Sequence, residues 1–485
     1  MSLINVGTLP TQLQTILNGL DIPNEELTRI VTLLKTAIAA GADTSALVTQ
    51  IESLIDTETG LNEIALLILA TRLISEDMVI SVPTLADLNN ANIAPGSVFY
   101  VQEKNLPYVK KSDGTWVIID PSLHAVQVEN LYAWGSNSTG QIGDGSTVSK
   151  SSPVSVVGGF TDWVQVSGGN YHSLGIRANG SAWAWGSNNL GRLGTNNTTN
   201  RSSPVSVVGA FTDWVQVSGG FSHSLGVRAN GSAWAWGANS YGRLGDGTTT
   251  SRSSPVSVVG GFTDWVQVSV GIHSLGLRAN GTAWAWGANS YGNLGDGTTV
   301  EKSSPVSVVG GFTDWVQLAA GLRHSLGVRA NGTAWAWGSN IFGQIGDNTT
   351  TGRSSPVSVI GGFTNWVQVS GGTSHSIGLR ANGTTWAWGD NGSGRLGDGT
   401  TVASRLSPVS VIGGFTDWIQ VAAGGNFNIA IRANGSAWAW GSNLRGQIGD
   451  GTTVAKSSPV SVIGGFTDWV EVAANYQSLG IRGSN

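Results

Sequence analysis

RANGSAWAWG, residues 177–186, returns as RANGSAWAWG (228–237), RANGTAWAWG (278–287 and 329–338), RANGTTWAWG (380–389) and RANGSAWAWG (432–441). Working outward from it, a Trp-Gly pair begins at Trp134, Trp185, Trp236, Trp286, Trp337, Trp388 and Trp440, in steps of 50 to 52 residues. A second marker, Phe-Thr-Asp/Asn-Trp, ends at Trp163, Trp214, Trp265, Trp315, Trp366, Trp418 and Trp469. The chain from about residue 127 onward is therefore seven copies of one unit, and a fixed period of this size signals a repeat architecture.

One unit reads as four short strands, 152–157, 162–166, 172–177 and 181–185, separated by Gly-Gly pairs and by Asn-Gly. Four strands per unit, seven times over, predict a seven-bladed β-propeller. A linear solenoid is the alternative, but solenoid repeats of this length are usually helical. The ends of the array are complementary. Leu131-Tyr132-Ala133-Trp134-Gly135 is a fourth strand without its third, and the chain stops after Leu479-Gly480-Ile481-Arg482 without a fourth. Pairing them closes the ring and removes two exposed edges.

Asn-Gly between two strands predicts a two-residue hairpin with positive φ. Asn179, Asn230, Asn280, Asn331, Asn382 and Asn434 complete Asn-Gly-Ser/Thr sequons, and are read as turn residues before glycan acceptors. Trp183 and Trp185 share one strand face and Ala182 and Ala184 the other, a pattern that predicts packing between blades.

The first 126 residues differ. Leu27, Ile30, Val31, Leu34 and Ile38, and later Leu47, Val48, Ile51, Leu54 and Ile55, follow helical spacing. Residues 1–78 are expected to form a small helical anchoring or self-association module, making a homo-oligomer. Residues 79–126 are expected to form a β-hairpin linker module, with strands near 97–101, 108–111 and 115–119 and a turn at Asp113-Gly114. The propeller spans 127–485, so the fold class is mainly β.

Composition bounds the function. Charged residues are 11% of the chain, net charge is −5, and Lys and Arg are scattered, which excludes a basic nucleic-acid footprint. Absence of cysteine excludes disulfides and thiol chemistry. The start lacks a secretory pattern, and the most apolar run, Ile64 to Ala70, is too short to insert in a membrane.

The Gly-x-Leu-Gly-Asp-Gly loop (Gly242 to Gly247), the Pro-Val strand and Gly169-x-x-His172-Ser173-Leu174-Gly175 resemble the regulator-of-chromosome-condensation repeat. That resemblance implies a seven-bladed propeller and a functionally broad family: nucleotide exchange on a small GTPase, interaction scaffolds, and bacterial and viral repeat proteins. Within residues 93–120, the stretches 94–101, 106–108 and 113–120 also look like a segment of marine tailed-phage structural proteins.

Repeated chemistry argues against a catalytic or metal site, and no cofactor is expected. His172, His223, His273, His324 and His375 share one slot, filled by Phe427 and Gln477 in the other units. A slot spread around a ring cannot converge on one metal, so a structural hydrogen bond within each blade is expected. Asp162, Asp213, Asp264, Asp314, Asp417 and Asp468 share a slot with Asn365, which suits an Asx turn and not a general base. Asp144, Asp246, Asp296, Asp347, Asp398 and Asp450, with Thr195 in the remaining unit, offer one carboxylate per loop, too few for calcium.

The variable positions carry more information. They fall at expected loop tips and give ten candidate ligand-facing residues: Tyr171, Phe221, Tyr241, Arg243, Tyr291, Arg323, Phe342, Arg395, Arg445 and Tyr476. Taken with the phage-like segment, the expectation is a non-enzymatic structural or adhesive protein of a tailed-phage virion (tail, fibre or capsid decoration), assembled in the host cytoplasm. Residues 1–126 would hold other virion proteins, and the propeller would bind a host-surface glycan or protein. The alternative is an intracellular interaction scaffold or a GTPase exchange-factor-like propeller.

Overall fold

The computed structural model describes the backbone at residues 80–82, 98–101, 106–110, 116–118 and 130, and backbone and side chains at 131–401 and 404–483. The helices expected within 1–78 lie outside the described residues. The chain divides into two compact units, residues 1–126 and 127–485.

In the first unit, β1 (Ile80–Val82), β2 (Val98–Val101), β3 (Leu106–Lys110) and β4 (Trp116–Ile118) form one sheet in that order. The strands β2, β3 and β4 are antiparallel neighbours, and Lys110 pairs with Trp116 across the expected Asp113-Gly114 turn. The strand β1 adds in parallel to β2.

The second unit is a seven-bladed propeller of four-stranded antiparallel sheets. Blade 1 consists of Trp163–Gly168, His172–Arg177, Ala182–Gly186 and Arg201–Ser206, with the chain meandering from the axis outward. Blades 2 to 6 start at Trp214, Trp265, Trp315, Trp366 and Trp418. Blade 7 takes its first two strands, Trp469–Ala474 and Gln477–Arg482, from the C-terminal end, and its outer two, Asn130–Gly135 and Lys150–Ser155, from the start of the array. Gln477 pairs with Gly135, Leu479 with Ala133 and Ile481 with Leu131, the closure expected from the two incomplete ends.

Seven apolar layers lie between blades, as the Trp-Ala-Trp pattern predicts. In one, Leu174, Ile176, Ala182 and Ala184 of blade 1 face Trp214, Val217 and Trp236 of blade 2. In the layer that spans the closure, Leu131, Ala133, Leu479 and Ile481 of blade 7 meet Trp163, Val166 and Trp185 of blade 1. Alanines on one face give the flat floor on which the next blade's indoles lie. Each indole buries about 200 Å², worth roughly 5 kcal/mol gross at 25 cal/mol per Å².

Polar side chains lace the innermost strands together. Gln165 of blade 1 accepts the Val217 N–H at 2.9 Å and donates to the Val217 carbonyl at 3.0 Å, copying a β-ladder step across the seam. Gln216 with Val268, Gln317 with Val369 and Gln420 with Val472 repeat both bonds. Blade 7 has Glu471 in this slot, and its carboxylate accepts the Val166 N–H at 3.2 Å.

The hairpin between the second and third strands differs from the sequence expectation. The Arg177 carbonyl accepts the Gly180 N–H at 2.8 Å, and Arg177 N–H reaches Ser181 O at 3.0 Å. Gly180 has φ +73° while Asn179 is not in the left-handed region. The connection is thus a three-residue turn ending on a left-handed glycine, not a two-residue turn with two positive φ values. Gly180 is doubly required: a Cβ there would lie 2.1 Å from the Thr212 carbonyl oxygen of the next blade. The sequon serine is structural, since Ser181 Oγ donates to Asn179 Oδ1 at 2.7 Å and accepts Trp183 Nε1–H at 3.0 Å.

Candidate functional site

The propeller has two ends of different character. At the hairpin end, Arg177 donates from Nε to Asp162 Oδ1 at 2.7 Å and lies 4.1 Å over the Phe160 ring. The same triad recurs as Arg228 with Asp213 and Phe211, and Arg329 with Asp314 and Phe312. The Asp of Phe-Thr-Asp-Trp therefore holds an arginine, and the Asx turn expected of its side chain is corrected. Asn365 keeps a neutral version, accepting from Arg380 Nε at 2.7 Å.

The other end is built from the long loops between third and fourth strands. One buried asparagine organises each loop. Asn239 Nδ2 donates to Asp246 Oδ1 and to the carbonyls of Thr248 and Thr250, while its Oδ1 accepts the Leu244 N–H. Asp246 also accepts the Thr248 N–H and hydroxyl and pairs with Arg252 at 3.2 Å. Burial alone would raise the Asp246 pKa, but the hydrogen bonds from Thr248, Asn239 and Arg252 outweigh it and hold the pKa low. The carboxylate is consumed by the loop. Among the described residues no cluster of three or more acidic, His or Cys side chains could hold a metal. Sequence reasoning missed these asparagines, although Asn stands two places after Trp-Gly in all seven units.

Behind the loops runs a belt of fully buried histidines. His172 Nε2 lies 2.8 Å from Ser224 Oγ in blade 2, and Ser224 Oγ donates to the Arg192 carbonyl at 2.8 Å. The serine proton is spent on that carbonyl, so His172 must donate from Nε2, which fixes the tautomer. His223 with Ser274, His273 with Ser325 and His324 with Ser376 repeat the bridge, and His375 reaches Asn428 Oδ1 at 2.9 Å. The bonds cross the seams between blades, which corrects the within-blade expectation. Burial pushes all five imidazole pKa values down, to about 3 for His273 and His375 and about 4 for His324.

The ten candidate residues all sit at the loop-bearing end, in three situations. Tyr171, Phe221, Tyr241, Tyr291, Arg323 and Arg445 are exposed. Phe342 and Tyr476 are half-buried, and Tyr476 stacks on Tyr171 with centroids 5.7 Å apart and planes at 15°. Arg243 and Arg395 are buried and bind neighbouring turns: Arg243 donates to the Ile272 carbonyl and Ser222 Oγ, and Arg395 to Asn426 Oδ1 while pairing with Asp390. Both tie the loop of one blade to the turn of the next, a role that exposure at a loop tip would not allow. At the axis, Asn170, Phe221, Leu322, Thr373, Asn475 and Tyr476 rim a depression of only about 50 Å³, room for a water or two.

The sequence profile of the RCC1-like domain matches residues 130–479, the whole ring but its last strand end. The chain belongs to the RCC1-like domain family. Among its relatives, the ultraviolet-B receptor UVR8 of Arabidopsis thaliana is 28% identical over 336 residues, covering 68% of this chain and 64% of the receptor. The human E3 ubiquitin-protein ligase HERC2 is 29% identical over 350 residues, 70% of this chain but 6% of the ligase. The chain thus spans less than two thirds of either relative. Yeast RCC1 (Prp20), solved with Kap60 bound, shares the fold at 21% identity and a TM-score of 0.67, covering 74% of this chain and 90% of that one. These RCC1-like relatives are plant and animal cellular proteins, and they overturn the expectation of a tailed-phage virion component and of a virion location.

Proposed function

We propose that this RCC1-like propeller is a non-catalytic protein-interaction module that binds its partner with the loop-bearing end. One observation carries the reading. Among the described residues, every aromatic side chain more than about a third exposed, Tyr171 (39%), Phe221 (41%), Tyr241 (45%) and Tyr291 (41%), lies at this end. Aromatic anchors on a rigid support are the usual hot spots of protein interfaces. The ring beneath them is held by seam-crossing hydrogen bonds, so little ordering entropy is lost on binding. The shallow axial depression suits a partner's surface better than a small molecule.

Yeast RCC1 (Prp20), which shares this fold, has been solved with Kap60 bound, a precedent for a protein that carries this propeller having a protein partner. Exchange on a small GTPase is the special case in which the partner is such an enzyme, and nucleotide release on adding the full chain would mark it.

The test is site-specific photo-crosslinking with the full chain. A photoreactive group at Tyr241 or Leu444 should yield one defined protein adduct, lost when unlabelled chain competes. The same group at Asn179 or Asn331, on the hairpin end, should yield none. Adducts from the hairpin end alone, or from neither end, would refute the proposal.

A further inference from the structure

The charges of the propeller are sorted by position. At the hairpin end, Arg177, Arg228, Arg278, Arg329, Arg432 and Arg482 each pair with the aspartate of their own blade. Along the outer strands, Lys150, Arg252, Lys302, Arg353, Arg405 and Lys456 each pair with a loop aspartate. Arg380, bonded to the neutral Asn365, and Arg201, whose blade has Thr195 for the loop aspartate, are the exceptions. Those twelve pairs are electrically closed.

The loop-bearing end is not. Among the described residues, and apart from the six loop aspartates already paired with outer-strand cations, its loops and turns carry five arginines, Arg192, Arg243, Arg323, Arg395 and Arg445, against two carboxylates, Asp390 and the exposed Glu301. Arg395 is paired with Asp390, whereas Arg192 and Arg243 are buried and bound to carbonyl and hydroxyl oxygens, so their charge is felt at the surface without being cancelled by a carboxylate. Arg323 and Arg445 are exposed.

Aromatic rings interleave with these cations. The Arg243 guanidinium lies 4.7 Å over the Tyr241 ring, and that of Arg323 lies 5.1 Å over the Tyr291 ring. The exposed Arg323, parked on a tyrosine, keeps its planar edge for a carboxylate while the ring offers apolar area; the Arg243 donors are engaged by the Ile272 carbonyl and Ser222 Oγ. The first pair lies in blade 2 and the second joins blade 3 (Tyr291) to blade 4 (Arg323); Ile272 of blade 3 links them, its carbonyl accepting from Arg243 Nε at 2.9 Å and its N–H donating to the Leu322 carbonyl at 3.2 Å.

We infer that the partner segment seated on this end is an acidic peptide whose carboxylates alternate with apolar or aromatic residues. This rests on the protein-interaction reading and adds the chemistry of the partner. The charge excess favours acidic segments and repels basic ones, giving selectivity and a faster encounter at low salt. A nucleic acid fits less well, because two exposed cations at this end are too few to track a phosphate backbone.

The probes are a fluorescein-labelled peptide of about 12 residues alternating Glu with Leu and Tyr, the same peptide with Lys for Glu, and an oligothymidylate of equal charge. Fluorescence anisotropy with the full chain should show binding of the Glu peptide that weakens as salt rises. R323E and R445E should each weaken it about fivefold, the usual effect of an exposed charge pair, and Y291S should weaken it without changing the thermal melt. N331D, which adds a charge at the hairpin end, should leave it unchanged.

Equal or tighter binding of the Lys peptide or the oligothymidylate would overturn the inference. So would no binding of the Glu peptide, or equal effects of R323E and N331D. If these fail while the Tyr241 crosslink persists, only the acidic chemistry falls; if the crosslink fails too, the interaction reading falls with it.

Discussion

His172 in blade 1 donates from Nε2 to Ser224 Oγ in blade 2 across 2.8 Å, and that serine hands its own proton to the Arg192 carbonyl of blade 1. Loop, belt and neighbouring blade are thereby joined in one chain of hydrogen bonds, repeated at five of the seven seams.

Stability should fall steeply in mild acid. The five histidines are held neutral in the fold, with pKa values below the ordinary 6.5, about 3 for His273 and His375. A lowered folded pKa means the unfolded chain binds the extra proton first, so stability is full above pH 6.5 and drains as pH falls towards 3 to 4. At pH 5 each such histidine should cost about 2 kcal/mol. Thermal melts at pH 7.5 and pH 5 check this. H273Q, which places there the residue that blade 7 carries as Gln477, should shrink the difference; an unchanged pH dependence would contradict it.

Blade 1 lacks the loop carboxylate of its six siblings, having Thr195 where they have aspartate, and the buried Nε of Arg201 has no hydrogen-bond partner. T195D should recreate the ion pair seen between Asp246 and Arg252. The expected gain is below about 1 kcal/mol because the cation stays partly exposed, and it should shrink in high salt. Chemical denaturation at low and high salt measures both.

Ring closure depends on a strand far in sequence from its neighbours. Ala133 pairs with Leu479 on one side and Val154 on the other. A133P places proline in a strand paired on both sides and should cost about 3 kcal/mol or more. Limited proteolysis should then cut blade 7 before any other blade.

Trp236 is fully buried between blades 1 and 2, whereas Trp234, two residues earlier, is only partly covered. W236A should destabilise the ring by about 3–5 kcal/mol, and W234A by clearly less. Urea unfolding followed by circular dichroism separates them.

The ring itself was legible from spacing, because a period of about 51 residues and two incomplete ends admit few closures. Partners across a seam were not. Nothing in His-Ser-Leu-Gly says that the histidine of one unit meets the serine of the next, since periodicity orders residues along the chain and not between sheets. Asp162 and Arg177 are 15 residues apart and meet only because the two strands between them form a hairpin. The loop-tip candidates divided for a similar reason: Tyr241 and Arg243 look alike as variable residues, yet one is 45% exposed and the other is folded under its neighbour's turn. The tailed-phage reading rested on a short segment outside the propeller, and the family match over residues 130–479 outweighs it.

The most direct measurement of the central claim replaces Phe221, Tyr241 and Tyr291 together with serine and follows capture of the crosslinked partner by the full chain. None of the three is buried, so the thermal melt should hold within a few degrees while capture falls at least tenfold. Unchanged capture by a folded triple variant would show that the loop-bearing end is not the binding surface.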